Sequence, residues 1–118
     1  MGAFTGTVLL VEDDYDLRNV LALQLASMGF TVLQAGNATS ALQIAEAHSG
    51  PIRLLLTDVR MPGLTGPALA QRLCASHGEM RVLFMSGDPN PASAYLHKPF
   101  TREALLDALT EILPAQAG

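Results

Sequence analysis

The sequence predicts an α/β fold in which parallel strands carry helices on both faces. Short apolar runs alternate with helix-patterned segments along the whole 118 residues. The runs Val8-Leu9-Leu10-Val11, Leu54-Leu55-Leu56-Thr57 and Val82-Leu83-Phe84-Met85 are nearly unbroken, as strands buried on both faces must be. Polar residues close each run: Glu12-Asp13-Asp14, Asp58 and Ser86, with Lys98 before Pro99. In an open parallel sheet those positions share the carboxyl edge, where such folds place their chemistry.

Each element has a local reason. Thr7–Val11 reads as a buried strand. Residues 15–28 read as a helix because Leu17, Leu21, Leu25 and Met28 share one face; Asp14 is its N-cap and Gly29 its stop. Residues 31–35 form a short strand. Asn37 or Thr39 caps a second helix, which runs through Ala47 and stops before Gly50-Pro51. Residues 53–57 are the central strand. After the Pro62-Gly63 turn, Thr65 caps a helix reaching about Ser76, with Pro67 tolerated in its first turn. Residues 81–85 and 95–97 are the last two strands. Thr101 caps the final helix, whose stripe is Leu105, Leu106, Leu109, Ile112 and Leu113, and Pro114 ends it.

The link between the last two strands is unusual. Only eight residues separate Ser86 from Tyr95, and two of them are prolines. A parallel crossover ordinarily takes about a dozen residues or more, usually with a helix. Proline disfavours helix interiors. The expected connection is irregular, with at most one helical turn over residues 91–94.

Composition narrows the function classes. The length suits a single domain, residues 1–118, with its core over about 7–113. Hydrophobic residues make up 49%, which suits a globular chain. No apolar run approaches the roughly 20 residues of a membrane span. The first residues lack the basic and apolar regions of a signal peptide. Cys74 is the only cysteine, so no internal disulfide forms, and a reducing cytoplasm is the expected location. The net charge is −4 with no basic block, which argues against direct nucleic-acid binding.

The polar edge residues suggest phosphate chemistry. Glu12, Asp13 and Asp58 would bring up to three negative charges together, and such a cluster demands a counter-charge. Mg²⁺ (or Mn²⁺) meets the demand, being hard and oxygen-seeking. The backbone carbonyl of Arg60 is a further oxygen ligand. Lys98 and the Ser86 hydroxyl would meet phosphoryl oxygens, and Asp58 would be the nucleophile.

With these residues assembled, the chain resembles the receiver domains of two-component response regulators from about Thr7 to Leu113. The resemblance rests on five features in order: Glu12-Asp13-Asp14, the Asp58 segment through Pro62-Gly63, Ser86-Gly87, Tyr95, and Lys98-Pro99-Phe100. It implies a flavodoxin-like sheet of five parallel strands in the order 2-1-3-4-5. It further implies that Asp58 accepts phosphate from the phosphohistidine of a histidine kinase or histidine phosphotransfer domain, and that a downstream protein of unknown identity reads the change. Asp13 would ligate the metal directly, Glu12 through water, and Asp14 would stand just behind them. Ser86 and Tyr95 match the pair that reports phosphorylation. Beyond Mg-dependent self-phosphorylation and autodephosphorylation, no enzymatic activity is implied. The chain departs from the family at the eight-residue link, where members form a fourth helix. That helix should be absent here or reduced to about one turn.

A 118-residue chain has no room for an output domain, so the resemblance implies a free-standing receiver or part of a hybrid kinase. The run from Val82 to Gly87 resembles receivers of hybrid kinases. Two other functions use the same residues. One is a receiver-like contact module that works without phosphate. The other is a small aspartyl-phosphate phosphatase of the dehalogenase-like type. The phosphatase pattern wants a general acid two residues after its nucleophile, and here that place is Arg60.

Overall fold

A computed structural model describes residues 4–87 and 95–113. It contains β1 (Thr7–Val11), α1 (Tyr15–Ser27), β2 (Thr31–Ala35), α2 (Ala38–Ala47), β3 (Leu54–Asp58), α3 (Gly66–Ser76), β4 (Arg81–Ser86), β5 (Tyr95–His97) and α4 (Arg102–Ile112). All strands pair in parallel, in the order β2-β1-β3-β4-β5. This is the order expected from the resemblance. Four helices occur among the described residues, one fewer than is typical of the fold. The single turn expected over residues 91–94 lies outside the described residues.

Alternation along the central strands divides the core in two. Val8 and Leu10 of β1, with Leu54 and Leu56 of β3, pack against Leu21 and Leu25 of α1 and Leu105 and Leu109 of α4. Leu9, Val11 and Leu55 point the other way, toward Ala41 and Ala45 of α2 and Leu69 and Leu73 of α3. Each face of the sheet therefore carries two helices, which explains why β1 and β3 read as continuous apolar runs.

Side-chain caps fix the helix starts. Asp14, Asn37, Thr65 and Thr101 each accept a hydrogen bond from a first-turn backbone N–H of the helix that follows. At α2 the cap is Asn37 and not Thr39, with Ser40 N donating to Asn37 Oδ1 at 2.8 Å. Asn37→Ala should lower stability by about 1 kcal/mol, read by urea unfolding. An unchanged midpoint would show that the cap contributes nothing. Gly29 ends α1 at a φ of 113°, a conformation that favours glycine.

Three boundaries differ slightly from the sequence expectation. The central strand starts at Leu54 and continues through Asp58, because Asp58 still pairs with Met85. β4 likewise extends through Ser86, which pairs with His97. α1 ends at Ser27, with Met28 as its C-cap.

The short link is geometrically feasible because β5 is short. Tyr95 pairs with Phe84, only two residues below the end of β4. The chain therefore has to return by about 7 Å, at roughly 3.3 Å per strand residue. Eight residues cover that easily, whereas a full-length fifth strand would need a longer return. No helix among the described residues is long and apolar enough to cross a membrane.

Candidate functional site

The strand order assembles the site. Val11 and Thr57 are register partners on adjacent strands, so Glu12-Asp13 and Asp58 emerge side by side. Ser86 stands at the end of the neighbouring β4. Lys98 directly follows β5, and its backbone N–H donates to the Ser86 carbonyl at 2.8 Å. Four strand ends thus converge on a concavity of about 240 Å³ bordered by Asp13, Asp58, Arg60, Met85, Ser86, Gly87 and Lys98.

Glu12, Asp13 and Asp58 each offer a carboxylate oxygen, and these atoms lie within 4.8 Å of one another. Glu12 is fully buried and Asp58 is 5% exposed, whereas Asp13 is exposed. Lys98 supplies the counter-charge. Its ammonium pairs with Glu12 and lies 2.5 Å from Asp58 Oδ1. The other Glu12 oxygen accepts the Asp14 N–H at 3.0 Å. Asp58 Oδ2 is buried and has no hydrogen-bond partner. A buried carboxylate oxygen without a partner is costly, so this atom fits a site that completes itself with a ligand.

The surrounding backbone holds Asp58 in place. Val59 N donates to Met85 O at 3.0 Å, and Gly66 N donates to Val59 O at 2.8 Å. The Thr57 hydroxyl donates to the Asp58 carbonyl at 3.1 Å. Gly66 begins α3 directly against that carbonyl. A Cβ on Gly66 would overlap the Asp58 oxygen and press on Asp58 C and Val59 Cα at 3.0 and 3.1 Å. On the other side, Arg18 Nη1 donates to the Glu12 carbonyl at 2.9 Å.

Most of the predicted residues meet here. Glu12, Asp13, Asp58 and Lys98 form one charged cluster, and Arg60 and Ser86 border the same concavity. Asp14 adjoins it through its backbone, while its carboxylate caps α1 by accepting from Leu17 N at 3.1 Å. Tyr95 is placed by its backbone pairing with Phe84; the switch role expected of its side chain falls outside the described part of the structure. Gly66, Arg18 and Thr57 were not anticipated. A glycine followed by proline at a helix start was the available signal for Gly66.

Two groups titrate away from their ordinary values. The Asp13 carboxyl is raised above 3.8. A hydrogen bond shared with Glu12 is the main cause, followed by partial burial and the Glu12 negative charge. Lys98 is raised above 10.5; burial opposes the charge, but hydrogen bonds to Asp58 and Glu12 outweigh it.

The Asp13 shift predicts a pH dependence. Because the folded state holds this proton more tightly than the unfolded state, the contribution to stability is present below about pH 3.8 and is lost as pH rises through the raised value. At neutral pH and without divalent cations, Asp13→Asn should therefore raise Tm. If Asp13 holds a divalent cation, the same variant should also lose most of any Tm gain on adding Mg²⁺. Calorimetry with and without Mg²⁺ checks both; a full Mg²⁺ gain in the variant would contradict the assignment.

Comparison with known proteins agrees with this geometry. Residues 8–110 match the family model of the response regulator receiver domain. The chain is 34% identical over 122 residues to the sensor kinase CckA of Brucella abortus (strain 2308), covering 95% of this chain and 13% of that protein. It is 32% identical over 118 residues to the response regulator receiver protein CpdR of the same organism, covering 92% of this chain and 97% of that protein. The chain thus spans only a small part of one curated relative and nearly all of the other. The crystal structure of the receiver domain from the hybrid histidine kinase CckA superimposes with a TM-score of 0.80 at 36% identity, covering 90% of this chain and 97% of that one. The matched family is one of receivers and not of catalytic enzymes. With its acidic pocket at the strand ends and a sheet in the receiver order, the chain belongs to the response regulator receiver domain family of two-component signalling.

Proposed function

We propose that this chain is a phosphoryl-accepting receiver in which Asp58 takes a phosphoryl group from the phosphohistidine of a histidine kinase or histidine phosphotransfer domain. The observation that carries the proposal is the state of Asp58. Its Oδ1 is tied to Lys98, whereas Oδ2 is buried, unpartnered and part of a carboxylate that borders the concavity. In the transfer, a P–O bond forms at Asp58 as the donor P–N bond breaks. The electron pair returns to the imidazole nitrogen.

The donor set fits a hard divalent cation, since every available ligand is an oxygen. Asp13, Asp58 and the Arg60 carbonyl would hold it. Glu12, already engaged by Lys98 and Asp14, would act through water. When bound, Mg²⁺ or Mn²⁺ supplies positive charge that offsets the carboxylates and the phosphoryl oxygens. Lys98 neutralises charge from the opposite side and follows the phosphoryl group once Asp58 carries it. The Ser86 hydroxyl contacts another phosphoryl oxygen. Ser86 and Tyr95 then carry the change to a downstream protein partner. Asp14 supports the metal side through its contact with Glu12.

The chain acts in the cytoplasm as one receiver unit, either free-standing or as the receiver of a larger kinase. Both settings have a counterpart among its relatives, one matched almost end to end and one over a small fraction.

Incubation with acetyl phosphate and Mg²⁺ tests the proposal. The expected product carries one phosphoryl group, stable to acid and labile to base, and does not form when EDTA removes the cation. Absence of any adduct would favour a contact module that works without phosphate. Sustained turnover of a soluble phosphomonoester would favour a phosphatase.

A further inference from the structure

Arg18 stands where a cation is out of place. It lies near the amino end of α1, the end at which the helix dipole disfavours positive charge. The residue is half-buried, and its guanidinium turns back on the loop that precedes the helix. Nη1 donates to the Glu12 carbonyl at 2.9 Å. The Tyr15 ring centroid lies 5.4 Å from the guanidinium carbon, within reach of a cation–π contact.

Gly36, just after β2, makes room for this arrangement. Apart from its chain neighbours, a Cβ there would approach only the Arg18 guanidinium, Nη1 at 3.0 Å and Cζ at 3.8 Å. The φ of Gly36 lies outside the left-handed region, so the backbone itself does not call for glycine. The space left by the absent side chain is the space that the guanidinium needs.

The arginine completes the restraint on one residue. Glu12 N donates to the Ala35 carbonyl at 3.1 Å, and Glu12 Oε2 accepts the Asp14 N–H at 3.0 Å. With Arg18 on its carbonyl, Glu12 is held at N–H, carbonyl and carboxylate alike. That fixes the peptide leading into Asp13. Asp13 is exposed, so packing does not aim its carboxylate, and the backbone has to.

We propose that Arg18 is a positioning residue for the metal site. It holds the Glu12–Asp13 peptide so that the Asp13 carboxylate stays within reach of Asp58, and Gly36 is the gap that admits it. The proposal rests on the reading of Asp13 as a metal ligand given above. Its sign separates it from simple electrostatics. Arg18 is a positive charge beside an acidic loop, so on charge alone its removal would tighten cation binding. Positioning demands the reverse.

Titration of Mg²⁺ into the 118-residue chain by isothermal calorimetry tests the proposal. Arg18→Met should weaken Mg²⁺ binding about tenfold, as loss of a group that orients metal ligands does. Gly36→Ala keeps the charge and should weaken binding several-fold by pushing the guanidinium off the carbonyl. The end of a flexible side chain yields readily, so this variant should keep the parent Tm without Mg²⁺. Combined with Arg18→Met, it should have no further effect, because both act through one contact. The Mg²⁺ concentration for half-maximal phosphorylation by acetyl phosphate should rise in parallel. Unchanged or tighter Mg²⁺ binding in Arg18→Met overturns the proposal, as do additive losses in the double variant. If Arg18→Met does not fold, Gly36→Ala decides, and parent-like affinity there overturns the proposal. A parent chain that binds no Mg²⁺ overturns the metal reading of Asp13 as well; a parent that binds it, with variants equal to it, overturns this proposal alone.

Discussion

Asp58→Asn should reduce phosphoryl incorporation from acetyl phosphate to background. The amide is nearly the same size as the carboxylate, so packing around β3 survives. What disappears is the anionic oxygen that attacks phosphorus. The neighbouring carboxylates cannot take over. Glu12 is fully buried with both oxygens engaged by Lys98 and the Asp14 N–H. Asp13 is exposed, lacks the lysine contact made by Asp58, and is the group proposed to hold the metal. The substitution also removes one negative charge from the cluster, so the variant should melt no lower than the parent without divalent cations. Intact-mass analysis after incubation checks incorporation, and calorimetry checks the fold. Incorporation at the parent rate in a folded variant would place the acceptor elsewhere.

Gly66→Ala should damage both stability and the site. A Cβ at this position has nowhere to go: its nearest neighbours are the Asp58 carbonyl oxygen and carbon and the Val59 Cα, all backbone. No side chain can rotate away to admit it. Either the start of α3 or the end of β3 must move, at about 3 kcal/mol or somewhat more. If β3 moves, Asp58 moves with it, and a displacement near 1 Å at a reacting group costs rate as well. We therefore expect a lower urea midpoint together with slower phosphorylation. Gly63 offers a control of a different kind. Its φ is 84°, and a Cβ there would have no neighbour within 4 Å, so alanine meets backbone strain and no collision. That cost is about 1 kcal/mol. Equal losses at the two glycines would show that the contact with Asp58 carries no special weight.

The sequence exposed the fold because its signals agreed. Unbroken apolar runs at 8–11 and 54–56 required strands covered on both faces, and the structure places two helices on each. Each cap residue precedes the expected helix. The site was legible for the same reason: once the strands are parallel, Glu12, Asp58, Ser86 and Lys98 must share an edge. What the sequence hid were relations between distant backbone segments. Nothing about Gly66 as a letter reveals that the Asp58 carbonyl lies against it. Arg18 reads as an ordinary surface cation, yet it reaches back six residues to the Glu12 carbonyl. Strand ends at Asp58 and Ser86 were placed one residue short, because register and not composition carries the pairing through those polar residues.

The brevity of β5 and its link also bears on the order in which the sheet assembles. Paired residues of β4 and β5 stand eleven positions apart in the chain, against twenty-four for β1 with β2 and forty-six for β1 with β3. Closing a loop costs more entropy as it lengthens, by about 0.6 kcal/mol per doubling. The edge that delivers Lys98 is therefore the least expensive long-range pairing of the sheet to form, and a local one by the measure that sets folding speed. Lys98 can reach the Ser86 end of β4 early, before the distant β1 strand docks and brings Glu12 and Asp13.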